Sequence, residues 1–239
     1  MRRAAFALAA IFLVTVAGGC AEETPPARTL SAEARGAVAF DDPRISSYSF
    51  NPFACRTCHD SGAERRRVPG APLGGVTRRT RFWGGAEADL LSSINACMRF
   101  FLGDANGLTR SDDRAISLYA YLDGLPGDGG AVPFTVVASI TDLPRGDAAR
   151  GEGVWTAACA PCHGSAHTGA GRLPNVNVRV PESTIEEHAP KGDDVRLIVI
   201  EKVRHGAFLG YSGRMPPFSL EVLGDADLAD VLSYLGLDP

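Results

Sequence analysis

The 239-residue sequence has little lysine, little methionine and few segments of alternating hydrophobicity. Its two lysines are Lys191 and Lys202, so arginine carries almost all of the positive charge. The formal net charge of −4 at pH 7 argues against the basic surface that nucleic-acid binding requires. No segment alternates clearly enough to predict a long strand, and residues 132–140 are the best candidate. These absences favour a mostly helical protein without a nucleic-acid partner.

The N-terminal segment has the features of an export signal. Arg2 and Arg3 precede a charge-free apolar stretch over residues 4–16, which is followed by small residues and then Cys20. The pattern predicts a signal peptide over 1–19 that is too short to stay in the membrane as a spanning helix. The position of Cys20 resembles the lipobox of bacterial lipoproteins, which implies acylation of this cysteine. We expect a lipid anchor on the periplasmic side of the bacterial cell envelope, with simple signal cleavage as the alternative.

Two stretches rich in proline, glycine and charge, 21–30 and 124–133, divide the mature chain. Each of the two blocks contains one Cys-X-X-Cys-His motif and ends in a helix with the pair Tyr-Leu, which suggests an internal duplication. The predicted organisation is a lipid-anchored tether over 20–30, a first domain over 31–127, a linker over 128–144 and a second domain over 145–239.

Hydrophobic periodicity predicts that both domains are built from helices. Helices are expected over 86–102, 111–122, 147–159, 192–205 and 225–235, and another helix is expected at the start of the first domain. Ser111 and Asp225 are the predicted N-cap residues of the two closing helices. The predicted fold class is therefore all-α and rich in loops.

Five of the six cysteines belong to the two domains, and four of these form the two motifs. The motifs are Cys55-Arg56-Thr57-Cys58-His59 and Cys159-Ala160-Pro161-Cys162-His163. Two thiols at this spacing can form thioethers with the vinyl groups of one haem, while the adjacent histidine binds the iron. We therefore predict two covalently bound haem c groups, with His59 and His163 as proximal iron ligands.

Other cysteine chemistry remains an alternative to haem attachment. A zinc site would need four converging ligands but no histidine directly after each cysteine pair. A redox-active disulfide would need a βαβ context, which the sequence lacks.

The second domain resembles class I cytochromes c over almost its whole length. The resemblance is carried by Gly151 and Trp155 before the motif, by Pro174 after it, and by Gly213-Arg214-Met215-Pro216-Pro217-Phe218 before the last helix. It implies that the carbonyl of Pro174 accepts a hydrogen bond from the His163 imidazole. It also implies that Met215 is the distal iron ligand, a neutral thioether that raises the reduction potential.

The first domain is more divergent. Residues 41–54 make the approach to Cys55 longer than usual, and Pro72 is the candidate for the proline loop beside His59. The segment Ile94-Asn95-Ala96-Cys97-Met98 resembles the distal-ligand segment of thiosulfate dehydrogenases and related sulfur-oxidation cytochromes, which implies that Cys97 is the distal iron ligand. Met98 is the alternative ligand, and a structural role for Cys97 also remains open. Neighbouring residues on a helix point about 100° apart, so one face does not present both side chains to the iron.

Several other residues receive simpler interpretations. Two groups of arginines in the first domain are expected to form a solvated basic face, from which one or two side chains pair with haem propionates. These residues are Arg65, Arg66, Arg67, Arg78, Arg79 and Arg81. Trp83 and Trp155 are expected to pack in haem pockets. His205 is a candidate for a propionate contact rather than for iron ligation.

The predicted function is single-electron transfer by a di-haem c-type cytochrome between donor and acceptor proteins of the cell envelope. An electron carrier is expected rather than an enzyme. The alternatives are an oxidoreductase of sulfur compounds similar to thiosulfate dehydrogenases, and a haem subunit of a respiratory complex.

Overall fold

The computed structural model describes residues 30–60, 67–173, 177–209 and 213–239. The predicted signal peptide, Cys20, almost all of the tether and Pro174 lie outside these residues. Within them the chain is helical and rich in loops, and its β-structure is an isolated bridge between Phe82 and Glu87. The predicted all-α, loop-rich class, typical of cytochrome c-like folds, is confirmed.

The helices follow the hydrophobic periodicity of the sequence. They are α1 (Ala32–Asp41), α2 (Cys55–Cys58), α3 (Leu90–Phe100), α4 (Asp113–Asp123), α5 (Ala148–Ala158), α6 (Ala160–His163), α7 (Glu182–His188), α8 (Val195–His205) and α9 (Asp225–Tyr234). Short 3₁₀ turns occupy Pro43–Ile45, Val76–Arg78, Trp83–Gly85 and Ala189–Lys191. None of the described helices combines the length and hydrophobicity needed to cross a membrane.

The two predicted N-caps are each wrong by one residue. Helix α4 is capped by Asp112, whose carboxylate accepts the Arg114 N–H, and not by Ser111. Helix α9 is capped by Gly224, so Asp225 lies in the first turn. Both α4 and α9 have aspartates in their first turn, where a negative charge interacts favourably with the helix dipole. The starts of the two helices therefore look similar in the sequence although their N-cap residues differ.

In the first half of the chain, α1 crosses α4 at very close range. A Cβ atom at Gly36 would lie 1.9 Å from the carbonyl oxygen of Ser117, so the crossing requires glycine. One turn further along each helix, the rings of Phe40 and Tyr121 pack with their centroids 5.2 Å apart. The crossing brings the N-terminal helix of this half directly against its closing helix.

The second half repeats this crossing with α5 and α9. A Cβ atom at Gly151 would lie 2.1 Å from the carbonyl oxygen of Asp230. Again one turn further along, the rings of Trp155 and Tyr234 are 6.5 Å apart. The same spacing of glycine and aromatic residues therefore builds both halves, which supports an internal duplication.

Each half has its own hydrophobic core around its helix crossing. Buried residues of the first core include Phe40, Leu91, Met98, Phe101, Leu118 and Leu122. Buried residues of the second core include Val154, Trp155, Ile200, Phe218, Leu228 and Leu232. Burial of one such side chain stabilises the fold by about 1.5–3 kcal/mol, so each crossing is the centre of stability of its half.

The long approach to Cys55 is a folded segment anchored on Asp104. The buried Asp104 carboxylate accepts hydrogen bonds from the Ser47 N–H at 2.7 Å and the Ser47 hydroxyl at 2.8 Å. It also accepts the N–H groups of Asn106 and Gly107. Burial alone raises the pKa of this carboxyl, but these hydrogen bonds together hold the pKa below its usual value.

The connection between the halves is not a strand, so the prediction for residues 132–140 is wrong. Within the described residues its backbone pairs with no neighbouring strand. Thr135 instead binds the carboxylate of Glu221 through its N–H at 2.9 Å and through its hydroxyl at 2.6 Å. Val132 and Phe134 contribute apolar surface to the cavity described below, which explains their strand-like composition.

Candidate haem sites

The first Cys-X-X-Cys-His motif is held in one turn of helix. The His59 N–H donates to the Cys55 carbonyl at 2.9 Å, so α2 closes directly on the histidine. The Ala54 N–H donates to the Thr57 hydroxyl at 3.0 Å and fixes the start of the turn. Residues three positions apart lie on the same side of a helix, so this turn places Cys55 and Cys58 side by side.

The His59 ring is oriented by the loop that contains Pro72. Its Nδ1 lies 2.8 Å from the carbonyl oxygen of Ala71, so the accepting carbonyl belongs to the residue before the proline. A Cβ atom at Gly70 would lie 2.5 Å from the His59 ring, which shows how closely the loop covers the imidazole. Burial lowers the pKa of His59. A neutral imidazole that donates from Nδ1 has its Nε2 lone pair available for a metal ion.

A cavity of about 720 Å³ opens beside this motif. Cys55, Cys58 and His59 contribute to its wall from one side. Apolar residues of α3 and α4, including Ile94 and Leu118, contribute further surface. Its size falls within the roughly 300–1,000 Å³ typical of cofactor sites, and its lining is mainly apolar, as a porphyrin requires.

The two candidate distal ligands both contribute to the cavity wall but have different surroundings. Met98 belongs to the first core and is 2 % exposed. Cys97 only packs against the edge of that core. Burial, with smaller contributions from Cys55 and Glu87, raises the pKa of the Cys97 thiol to about 12. Cys97 and Cys55 both line the cavity.

Arg79 brings a positive charge to the same cavity. Its Nη2 donates to the carbonyls of Pro72 at 2.6 Å and Gly74 at 3.0 Å. Its Nε is buried and has no hydrogen-bond partner among the described residues. Burial lowers the pKa of Arg79, because the guanidinium loses hydration without gaining a bound carboxylate. A half-buried cation with a buried, unused donor fits a cofactor that carries carboxylates, as haem does.

The second motif repeats the helical turn of the first. The His163 N–H donates to the Cys159 carbonyl at 2.9 Å. The His163 Nδ1 lies 3.1 Å from the carbonyl oxygen of Val178, and burial lowers the pKa of the imidazole. The indole of Trp155 donates to the Gly164 carbonyl at 3.1 Å and fixes the residue after the histidine. The predicted acceptor Pro174 lies outside the described residues, so the described hydrogen bond of this imidazole is the one to Val178.

Met215 lies on a segment that is tied by its backbone to the end of α8. The Ala207 N–H donates to the Met215 carbonyl at 2.8 Å, and the Phe218 N–H donates to the Val203 carbonyl at 2.9 Å. A Cβ atom at Gly206, whose φ is +49°, would lie 2.4 Å from the Met215 carbonyl oxygen. The Met215 side chain packs against the second core. The glycine thus permits a close approach that positions the methionine segment.

Several residues near these motifs carried no clear signal in the sequence. Phe208 of the second half lines the cavity beside the first motif, as does Phe134 of the connection. Arg67, predicted as part of a solvated basic face, forms an ion pair with Asp227 of the second half at 2.6 Å. Contacts between distant parts of the chain produce no periodicity or spacing, so sequence reasoning does not reveal them.

His205 is buried, and its Nε2 has no hydrogen-bond partner within the described part of the chain. Its Nδ1 lies 3.4 Å from a carboxylate oxygen of Glu201. The predicted propionate contact of His205 stays a prediction.

The described residues do not favour the zinc alternative. In residues 30–60, 67–173, 177–209 and 213–239, no group of three or more His, Cys, Asp or Glu side chains is arranged to hold a metal ion. A structural zinc site needs four such ligands at one point.

Comparison with known proteins identifies the type of the second half. Residues 146–235 match the family described as cytochrome c oxidase, cbb3-type, subunit III. Over these residues the second half is similar to a cytochrome c domain. The family implies covalently bound haem c and a role in electron transfer for this domain.

A curated relative extends the similarity beyond this domain. The chain is 25 % identical over 205 residues to the "Cbb3-type cytochrome c oxidase subunit FixP" of Bradyrhizobium diazoefficiens. The match covers 84 % of this chain and 62 % of the relative, so the chain spans less than two thirds of that protein's length. The similarity therefore includes the first half as well as the second.

Proposed function

We propose that this protein is a di-haem c-type cytochrome that transfers single electrons in the bacterial cell envelope. One haem is bound by Cys55, Cys58 and His59 in a domain over 31–127, and the other by Cys159, Cys162 and His163 in a domain over 145–239. The observation that carries the proposal is the cavity beside the first motif, which combines an apolar wall, paired cysteines and an oriented imidazole. Haem iron supplies a one-electron couple in each domain, and the chain supplies its ligands and surroundings.

The proposed distal ligands are Cys97 for the first haem and Met215 for the second. Cys97 lines the cavity and only partly packs against the core, which supports this assignment, whereas the Met98 side chain is buried in the core. A thiolate is a strong, charged donor that lowers the reduction potential, and a thioether raises it. The two haems are therefore expected to have different potentials. Pro174 remains the proposed carbonyl acceptor near His163.

We further propose that Arg79 pairs with a propionate of the first haem. This contact satisfies the buried Nε and adds a bound carboxylate to the electrostatic effect that Asp128 already has on this guanidinium. A charge-assisted pair of this kind is short and about twice as strong as a neutral hydrogen bond.

The location and partners follow from the predicted signal and from the relative. The chain is exported, anchored by lipid at Cys20 and tethered to the membrane surface through residues 20–30. The relative is named as a subunit of a cbb3-type cytochrome c oxidase, so we propose that this protein passes electrons to or within a respiratory complex of the membrane. The alternative of a sulfur-compound oxidoreductase rests on the sequence around Cys97 alone.

A haem count per chain tests the proposal most simply. The purified protein should contain two covalently bound haems, and the Cys58→Ala and Cys162→Ala variants should each be deficient in haem at the altered motif. A wild-type protein with one haem, bound only at Cys159 and Cys162, would overturn the di-haem assignment.

Low-temperature EPR of the oxidised protein tests the first distal ligand. A thiolate–histidine signal should be present in the wild type and absent from Cys97→Ala. Persistence of that signal in Cys97→Ala would exclude Cys97, and loss of a methionine-type signal in Met98→Ala would assign the alternative ligand.

A further inference from the structure

Two side chains of the Met215 segment extend away from their own half and contact the first half. Phe208 packs against the first core rather than the second. Its ring lies 4.5 Å from that of Trp83, 5.7 Å from Phe101 and 6.3 Å from Phe100, measured between centroids. Aromatic pairs at these separations attract each other in addition to the apolar area that they bury.

Arg214, the residue directly before Met215, makes the second contact. Its guanidinium carbon lies 4.3 Å from the centroid of the Tyr48 ring, in the range of a strong cation–π interaction. It also covers Gly103, where a Cβ atom would lie 2.7 Å from the guanidinium carbon and φ is +70°. Its Nη1 is buried with no hydrogen-bond partner among the described residues. The cation–π interaction with Tyr48 therefore partly replaces the hydration that the Arg214 guanidinium loses.

Both contacts are made by residues that lie between the end of α8 and Met215. Phe208 follows the end of α8, and Arg214 precedes Met215 itself. Next to them in the chain, the Ala207 N–H donates to the Met215 carbonyl at 2.8 Å. Phe208 and Arg214 therefore contact the first half, while their neighbours Ala207 and Met215 are joined to each other through the backbone.

We propose that Phe208 and Arg214 are positioning residues for Met215, and that the first half thereby controls how firmly the second haem keeps its distal ligand. The inference rests on the proposed ligation of the second haem by Met215. A thioether is a neutral, soft ligand without charge attraction to ferric iron, so the position of its segment contributes strongly to retention of the bond. Loosening of either contact should make Met215 easier to displace, although neither residue is an iron ligand.

The decisive variant is Tyr48→Leu, which alters only the first half and removes the ring beneath Arg214. Imidazole is titrated into the oxidised full-length protein, and displacement of methionine is followed through the weak red absorption band of a methionine-ligated ferric haem. Met215→Ala assigns the band. We expect about a tenfold lower apparent Kd for imidazole in Tyr48→Leu, which corresponds to about 1.4 kcal/mol. Tyr48→Phe keeps the ring and should restore the wild-type Kd.

Two further variants keep the test informative if Tyr48→Leu is poorly folded. Arg214→Gln and Phe208→Leu should also lower the Kd, and Arg214→Gln combined with Tyr48→Leu should add little to either change alone. Arg99→Gln is the control, because Arg99 forms a cation–π pair with Phe100 at 5.1 Å wholly within the first half. This control should titrate like the wild type.

One result would contradict the positioning role of Phe208 and Arg214, and another would contradict ligation by Met215. If the wild type has the red band and both Tyr48→Leu and Arg214→Gln give the wild-type Kd, the positioning role is wrong. If the wild type has no band that depends on Met215, the ligation itself is wrong and the proposed function must be revised.

Discussion

The two halves of the molecule use the same helix crossing but surround their motifs differently. In both, a glycine on the first helix lies against the carbonyl of a residue on the closing helix, and an aromatic residue one turn later packs on a tyrosine. Around the motifs the resemblance ends. The first half has a folded insertion over 41–54 and an apolar cavity beside Cys97, whereas the second half carries a methionine segment tied to α8.

The helix crossings stabilise each half, whereas the segments around Cys97 and Met215 differ between the halves. The helix crossings lie in the cores and are similar, because close packing permits few solutions for two helices at this distance. The distal segments are loops and helix ends, which tolerate more variation in sequence. One scaffold can therefore present a thiol in one half and a thioether in the other.

The largest effect is expected from substitution of the crossing glycines. Gly36→Ala would place a methyl group 1.9 Å from the Ser117 carbonyl oxygen, and Gly151→Ala would place one 2.1 Å from the Asp230 carbonyl oxygen. Overpacking of this severity should destabilise the altered half by about 3 kcal/mol. Hydrogen exchange should show faster exchange in peptides of the altered half, with a smaller change in the other half.

Gly153→Ala is the matched control in the same helix as Gly151. A Cβ atom at Gly153 would meet nothing within 4 Å, so alanine should stabilise α5 by up to about 1 kcal/mol through its higher helix propensity. Equal destabilisation by Gly151→Ala and Gly153→Ala would contradict the importance of the crossing.

An intermediate effect is expected at Asp104, which anchors the insertion found in the first half. Asp104→Asn removes charged acceptors for Ser47 and for the turn after α3, so the free energy of unfolding should fall by about 2 kcal/mol at neutral pH. Because the folded pKa is below the usual value of about 3.9, this stabilisation is complete above that pH and is lost as the pH falls through the folded pKa.

Denaturant unfolding at about pH 7 and about pH 3 checks this prediction. The difference between wild type and Asp104→Asn should be smaller at the lower pH. The exposed Asp113 provides a control, because Asp113→Asn should change stability by less than about 0.5 kcal/mol. A pH-independent difference for Asp104→Asn would refute the role of its charge.

The smallest effect is expected from Arg79→Gln, which removes the cation from the first cavity. A nearby positive charge favours the reduced iron, so the potential of the first haem should fall by about 60 mV, a tenfold change for a one-electron couple. Arg78→Gln is the control, because Arg78 does not line the cavity and instead binds the Gly127 carbonyl. Equal shifts for the two variants would indicate a general charge effect rather than a specific contact.

Local patterns in the sequence were sufficient for much of this architecture. The spacing of Cys159 and Cys162 predicted haem attachment, and the helical turn found there agrees with it, because residues three positions apart lie on one side of a helix. Hydrophobic periodicity predicted α9, whose apolar stripe of Leu228, Val231, Leu232 and Leu235 belongs to the second core. Gly151 and Trp155 were recognised by their spacing from the second motif, whereas the insertion before Cys55 hid the equivalent role of Gly36 and Phe40.

The contacts that cross between the halves could not be predicted in this way. The position of Arg214 over Tyr48 depends on how two separate cores dock, and no spacing along the chain encodes it. In residues 132–140, Val132, Phe134 and Val136 line the cavity without pairing in a strand, so their alternating apolar character was a sign of contact with the cavity and a wrong sign of strand.

A potentiometric titration of the wild type and Cys97→Ala, followed by absorption, tests the difference between the two halves most directly. Two one-electron steps are expected in the wild type, separated by on the order of 100 mV or more, within the roughly 0.8 V range that axial ligands can produce. Cys97→Ala should raise the lower potential and leave the upper one unchanged. Two equal potentials in the wild type, both unaffected by Cys97→Ala, would contradict this expectation.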